Sequence, residues 1–257
     1  MIQSCGLLYN PIRPVSEGYL DTSVYVDVPE GLYSYWRINT ENRENGEVTD
    51  LMGHHDLIET GGVYTEWHDD FSYTDQDYII AAGGFDSDDY LSCCDGSDSS
   101  PYDKQDFAVE AWVDTSSMPW ETQYIVSKAD LAASSGWGVG INDYGEMTVR
   151  LADQEFHSVN VIKIDQWNYL VWIKKGDKLR FYCNMVKETV NVPGSFPLSD
   201  AALRIGSVRS GPVNWFDGYV GEIAYWKGLP KWADIEATLK RRYNDYHDGG
   251  SARPYFR

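Results

Sequence analysis

The stretch from Phe85 to Asp114, FDSDDYLSCCDGSDSSPYDKQDFAVEAWVD, leaves few folds open to this chain. In its last part Phe107, Val109, Ala111 and Val113 share one face, and Ala108, Glu110, Trp112 and Asp114 share the other. That is the two-residue period of a half-buried strand. A shorter strand is expected over 89–94. Between the two lies a run of Asp, Gly, Ser and Pro that cannot continue a sheet. A chain built on such units must pair strands.

Segments of strand length recur on both sides of it. GLYSYWRIN alternates Leu32, Ser34, Trp36 and Ile38 against Tyr33, Tyr35 and Arg37. Asn45-Gly46 is a hairpin signal, Asn142 to Gly145 reads as a turn with a glycine bulge, and Gly176-Asp177 reads as a two-residue hairpin loop. TQYIVSK, QWNYLVWIKK, KLRFYCNM, AALRIGSV and WFDGYVGEIAYW supply further strands. One helix is expected, in PKWADIEATLKRRYNDY, where Trp232, Ile235, Leu239 and Tyr243 repeat at helical spacing. Pro230 suits its start, and Lys240, Arg241 and Arg242 suit the negative end of its dipole.

The short strand, polar loop and alternating strand resemble the core of the laminin-G-like (concanavalin A-like) jelly-roll family. There an F-D-G-x-D-D-Y-like strand leads into a D-F-T-x-x-A-W-V-like one, and Ser87 stands here where many members have Gly. GHHDLIETGGV, TQYIVSK, LRIG and WFDGYVGEIAYW are similar to further family patterns, with Gly221 in place of the usual Asp and Glu222 kept. The resemblance runs from about Gly31 to Tyr246. It implies an all-β fold, a two-sheet antiparallel jelly-roll sandwich with a short C-terminal helix. Residues 1–30 are then an N-terminal arm or docking segment, 31–247 the domain and 248–257 a tail. The arm combines Pro11, Pro14 and Pro29 with apolar Leu7, Leu8, Tyr9, Tyr19, Leu20, Val24, Tyr25 and Val26. It is expected to dock on neighbouring subunits, with Ser23–Val28 as an added strand.

The formal charge is −19, and between Glu41 and Glu110 there are 19 acidic residues against 2 basic ones. No basic stripe exists, so nucleic acid is not an expected partner. No run is long and apolar enough for membrane insertion. MIQSCGLLYNPIRP lacks a basic start and a long apolar centre, so no signal peptide is expected. There is no N-x-S/T sequon. Cys93 and Cys94 are adjacent and on a strand would face opposite sides, so reduced thiols are expected, made in a reducing compartment. His54 and His55 diverge in the same way, and a turn residue and a packed one are expected there in preference to a metal pair.

Three chemistries bear on a chain of this kind. Glycosidases on this fold place facing carboxylates on one strand as E-x-D-x-x-E. No strand carries that pattern, and Glu110 with Asp114 comes nearest, so no catalytic residues are expected. The resemblance makes calcium plausible at the rim, with Asp86, Asp88, Asp89, Asp217 and Glu222 as the oxygen donors, against turn capping by the same Asp residues. Trp120, Trp137 and Trp215 lie in or beside Gly/Pro/Ser-rich loops and are the expected ligand-binding rings, able to stack on a cell-surface glycan. The whole reads as a non-enzymatic, oligomeric or assembly-bound module. Its expected setting is a phage or virus particle, as a tail, fibre or capsid-surface protein made in the host cytoplasm. The alternative is a bacterial carbohydrate-binding or adhesion protein at the cell surface.

Overall fold

The computed structural model describes residues 29–38, 43–61, 63–67, 81–85, 89–94, 101–102, 104–115, 117–208, 214–229 and 231–247. The expected arm, apart from Pro29 and Glu30, lies outside the described residues, and so does the tail.

In chain order the strands are β1 (Leu32–Arg37), β2 (Arg43–Glu44), β3 (Glu47–Val48), β4 (Leu57–Thr60), β5 (Tyr64–Trp67) and β6 (Ala81–Phe85). They continue with β7 (Tyr90–Cys93), β8 (Phe107–Asp114), β9 (Gln123–Asp130), β10 (Ser135–Ile141), β11 (Glu146–Leu151) and β12 (Gln154–Val161). The last are β13 (Asn168–Lys175), β14 (Lys178–Cys183), β15 (Val186–Asn191), β16 (Leu203–Ile205) and β17 (Gly218–Lys227), followed by helix α1 (Trp232–His247). Two antiparallel sheets form. One has the order β15-β14-β13-β8-β17-β6-β5 with β1 also on β17, and the other the order β12-β11-β10-β9-β16-β7-β4-β3-β2. β17 carries β8 along one side, while β6 and β1 share the other end to end. Among the described residues no helix is long and apolar enough to cross a membrane.

The main core fills the space between the sheets, with Trp36, Phe107, Val109, Trp137, Val139, Trp172 and Ile205 among its members. A second core lies on the outer face of the first sheet. There Ile235 and Leu239 of α1 cover Trp112, Tyr169, Val171 and Trp226. This corrects the expectation for β8, which is buried along its whole length. Alternation shows that a strand has two faces but not that the second is wet. The helix hides it.

Turn chemistry follows the sequence. Asn45 (φ 54°) and Gly46 (φ 81°) join β2 to β3, with both central residues in the left-handed region that this hairpin turn requires. Gly136 (φ 83°) cannot carry a side chain, because a Cβ there would lie 1.9 Å from the Lys128 carbonyl oxygen of β9. The turn after β3 is fixed by Asp50, which accepts from Tyr35 N, Met52 N and His55 N at 3.0, 3.0 and 3.1 Å. It sets His54 in a stack on Tyr33, with ring centroids 4.2 Å apart.

Candidate functional site: an aromatic rim

Three connections meet at one end of the sandwich. They are the β8–β9 loop, the β10–β11 turn and the segment leading into β17. Asn214 N donates to Glu121 Oε1 (3.2 Å), Asn214 Nδ2 donates to Thr122 O (2.7 Å), and Asp217 N donates to Gln123 Oε1 (3.2 Å). These bonds hold the segment before β17 against the β8–β9 loop. On the loop's other side, Met118 lies over the turn. A Cβ on Gly145 would meet Met118 Sδ at 2.6 Å and Val161 Cγ1 at 2.8 Å. Asn142 Oδ1 ties the turn by accepting from Tyr144 N at 3.0 Å and Glu146 N at 2.9 Å.

The rim presents two rings to solvent. Trp120 is 88% exposed and Tyr144 70%. Trp120 was legible in the sequence. Tyr144 was not, although an aromatic at the tip of a tight turn has no core to enter, and that signal could have found it. Trp215, the second expected ring, is half-buried and belongs to a stack on the outer face of the second sheet. Its ring centroid lies 5.8 Å from that of Tyr90, and the Arg204 guanidinium stands 4.5 Å from the Tyr90 centroid. Trp215 Nε1 and Arg204 Nε are both buried there without an acceptor among the described residues. Buried donors of this kind are rare in native structures.

Trp137 is a correction. It is fully buried, stacked on Phe107 at 4.4 Å, and its Nε1 donates to Tyr102 O at 3.0 Å. The flanking glycines suggested a loop, but Gly136, Gly138 and Trp137 lie within β10, where Trp137 pairs with Lys128.

Of the five acidic residues, the structure describes Asp89, Asp217 and Glu222. Asp86 and Asp88 lie outside the described residues. Asp89 is buried, while Asp217 is exposed at the rim. Glu222 is corrected as an ion ligand: it lies on β17 opposite Arg37, whose Nε is 3.3 Å from its Oε1. Among the described residues no three His, Cys, Asp or Glu side chains cluster closely enough to hold a metal ion.

The nearest approach to a glycosidase pair is closed. Glu110 is buried under α1 and accepts from Tyr169 OH (2.7 Å) and Trp226 Nε1 (2.6 Å). Asp114, on the same face, is also buried.

Sheet order, the inter-sheet core and the rim define a lectin-like β-sandwich. The chain belongs to the concanavalin A-like lectin/glucanases superfamily, whose model matches residues 85–236. That span is narrower than Gly31–Tyr246 and covers β7 to β17. No curated protein matches the sequence significantly. Among solved structures, the chain is similar to domain 4 of AbnA, a GH43 extracellular arabinanase from Geobacillus stearothermophilus, in complex with arabinotriose. That match has a TM-score of 0.56 and 14% identity, over 81% of this chain and 98% of that one. It is also similar to Trypanosoma rangeli sialidase (TM-score 0.60, 11% identity, 87% of this chain and 34% of that one). A third likeness is the botulinum neurotoxin type G receptor binding domain, with a TM-score of 0.54 and 14% identity over 82% of this chain and 51% of that one. The chain thus spans about a third of the sialidase and about half of the toxin domain. At these identities the likeness shows the fold alone.

Proposed function

We propose that the chain is a non-catalytic carbohydrate-binding module that meets its glycan at the rim of Trp120, Tyr144 and Trp215. The observation that carries this reading is Trp120, 88% exposed on a loop whose neighbours are pinned by hydrogen bonds. A large aromatic side chain buries roughly 150–250 Å² when it enters a core, at about 25 cal/mol per Å². A ring that forgoes this gain is suited to a flat, partly apolar partner such as a sugar face. Two solved neighbours support the reading by analogy of fold. One is the arabinotriose-bound domain, and another is a botulinum neurotoxin type C structure whose cell entry depends on two ganglioside molecules. The covered position of Glu110 and Asp114 supports the absence of catalysis.

Trp120→Ala is expected to weaken glycan binding by about 2 kcal/mol, roughly thirty-fold, and to leave the melting temperature unchanged. A glycan array followed by titration calorimetry of the best hit checks this. Equal affinity in wild type and variant would remove Trp120 from the site.

Calcium belongs to the same proposal only through Asp89 and Asp217 together with Asp86 and Asp88. An ion held by the folded state alone raises the melting temperature with concentration. A rise in millimolar calcium would assign the ion to these residues, and identical curves in calcium and in chelator would leave only turn capping by the same Asp side chains.

The particle-borne setting, on a phage or virus, is a further part of the proposal. It is supported by Cys93, Cys94 and Cys183, none of which is joined in a disulfide among the described residues. A bacterial adhesion protein is the alternative, and virion genes or polysaccharide-utilisation genes beside the coding sequence would separate the two.

A further inference from the structure

Cys93 ends β7, and Cys94 follows it. Adjacent residues of a regular strand point to opposite faces. Here the expected divergence fails, because Cys94 leaves the strand at φ 63°, in the left-handed region where a residue with a side chain is uncommon. The turn brings the Cys94 Sγ back to 2.9 Å from the Cys93 Sγ, to which it donates a hydrogen bond. Cys93 faces the core and is 8% exposed, whereas Cys94 is half-buried. Sparsely populated backbone conformations tend to be kept where they serve a purpose. What this one does is hold two thiols together.

We infer that Cys93 and Cys94 form a vicinal dithiol, a covalent modification site that a small-molecule disulfide such as oxidised glutathione closes to a Cys93–Cys94 disulfide. The sulfurs need approach by only about one ångström to reach the bonded separation of about 2.05 Å. Exposure sets the order of events. The Cys94 thiolate attacks one sulfur of the glutathione disulfide, forms a mixed disulfide and expels the first glutathione thiolate. The Cys93 thiolate then attacks the Cys94 Sγ and expels the second. The protein pair loses two electrons, glutathione disulfide gains them, and the two thiol protons pass to the two glutathione thiolates. Its hydrogen bond with Cys94 and its own burial push the Cys93 thiol well up, so the more exposed Cys94 attacks first and Cys93 reacts only through its short distance to the Cys94 Sγ. Asp50, Tyr33 and Tyr102 lie around the pair. The site is distinct from the aromatic rim, since Cys93 lies at the opposite end of β7 from Tyr90.

The test uses the full chain with Cys5→Ser and Cys183→Ser, so that only the pair remains. After incubation with oxidised glutathione, intact mass is expected to fall by two hydrogens, and peptide mapping is expected to place the new disulfide between Cys93 and Cys94. Cys94→Ser should show no such loss. A second probe avoids oxidation. Phenylarsine oxide condenses with two neighbouring thiols, giving a cyclic dithioarsenite and one water, and should label the pair but neither Cys93→Ser nor Cys94→Ser. Thermal melts confirm that each variant is folded. A folded protein that keeps both thiols under oxidised glutathione would overturn the inference, as would a stable glutathione adduct or a disulfide-linked dimer in place of the internal bond.

Discussion

Trp137→Ala is expected to destabilise the protein by about 3–5 kcal/mol, the range for removing a large aromatic side chain from a core. Domains of this size hold only about 5–15 kcal/mol in total. The indole lies between Phe107 (4.4 Å) and Tyr225 (5.9 Å), both nearly parallel to it. Its loss opens a cavity in the centre of the sandwich and leaves Tyr102 O without the donor now at 3.0 Å. A buried acceptor without a partner adds about 1–3 kcal/mol. Tyr102 itself bonds Ser34 Oγ at 2.7 Å and stacks edge-on against Tyr225, so the damage reaches β1 and β17. Urea unfolding of the variant checks the figure. A loss under about 1 kcal/mol would return the ring to the surface, where the sequence placed it. The contrast with Trp120 is the informative part, since that ring is proposed to serve binding and is expected to leave folding unchanged.

The difference between those two rings explains what the sequence could and could not show. Strand periodicity and turn residues are local, and they placed β8, β13, β14 and α1 within a residue or two and the start of β17 three residues early. They also located the hairpin turns at Asn45-Gly46 and Gly176-Asp177. Which face of a strand is covered depends on elements distant in sequence. Glu110 on β8 looked like the solvent side until α1, more than a hundred residues later, came down on it. Trp137 misled for a related reason. Its glycine neighbours mimic a loop, but Gly136, Gly138 and Gly140 are needed for close strand contact. A Cβ on Gly138 would lie 2.7 Å from the Tyr124 ring, and one on Gly140 would lie 1.9 Å from Gln123 O. Trp120 was legible because Thr115, Ser116, Ser117 and Pro119 mark a loop. The Tyr90–Trp215–Arg204 stack joins residues from three separate segments, and no spacing along the chain encodes it. The pairing of Cys93 with Cys94 was hidden by one backbone angle, which the residue types do not announce.

Glu110→Ala is expected to cost on the order of 4 kcal/mol, from two buried donors that each lose an acceptor at about 1–3 kcal/mol. Those donors are Tyr169 OH, at 2.7 Å, and Trp226 Nε1, at 2.6 Å, and both belong to the layer that α1 covers. Glu110→Gln keeps one acceptor oxygen and is expected to lose less. The same pair of variants decides the catalytic question. A carboxylate engaged by two neighbouring side chains beneath a helix is held for structure, and no sugar reaches it without the helix moving. Incubated with β-glucans, agars and chitin, wild type and Glu110→Gln are therefore expected to release no reducing ends alike, while differing in their melting temperatures. Hydrolysis by the wild type that disappears in Glu110→Gln at a temperature where both are folded would make Glu110 a catalytic acid or nucleophile. The helix would then have to be a cover that opens, and the module an enzyme.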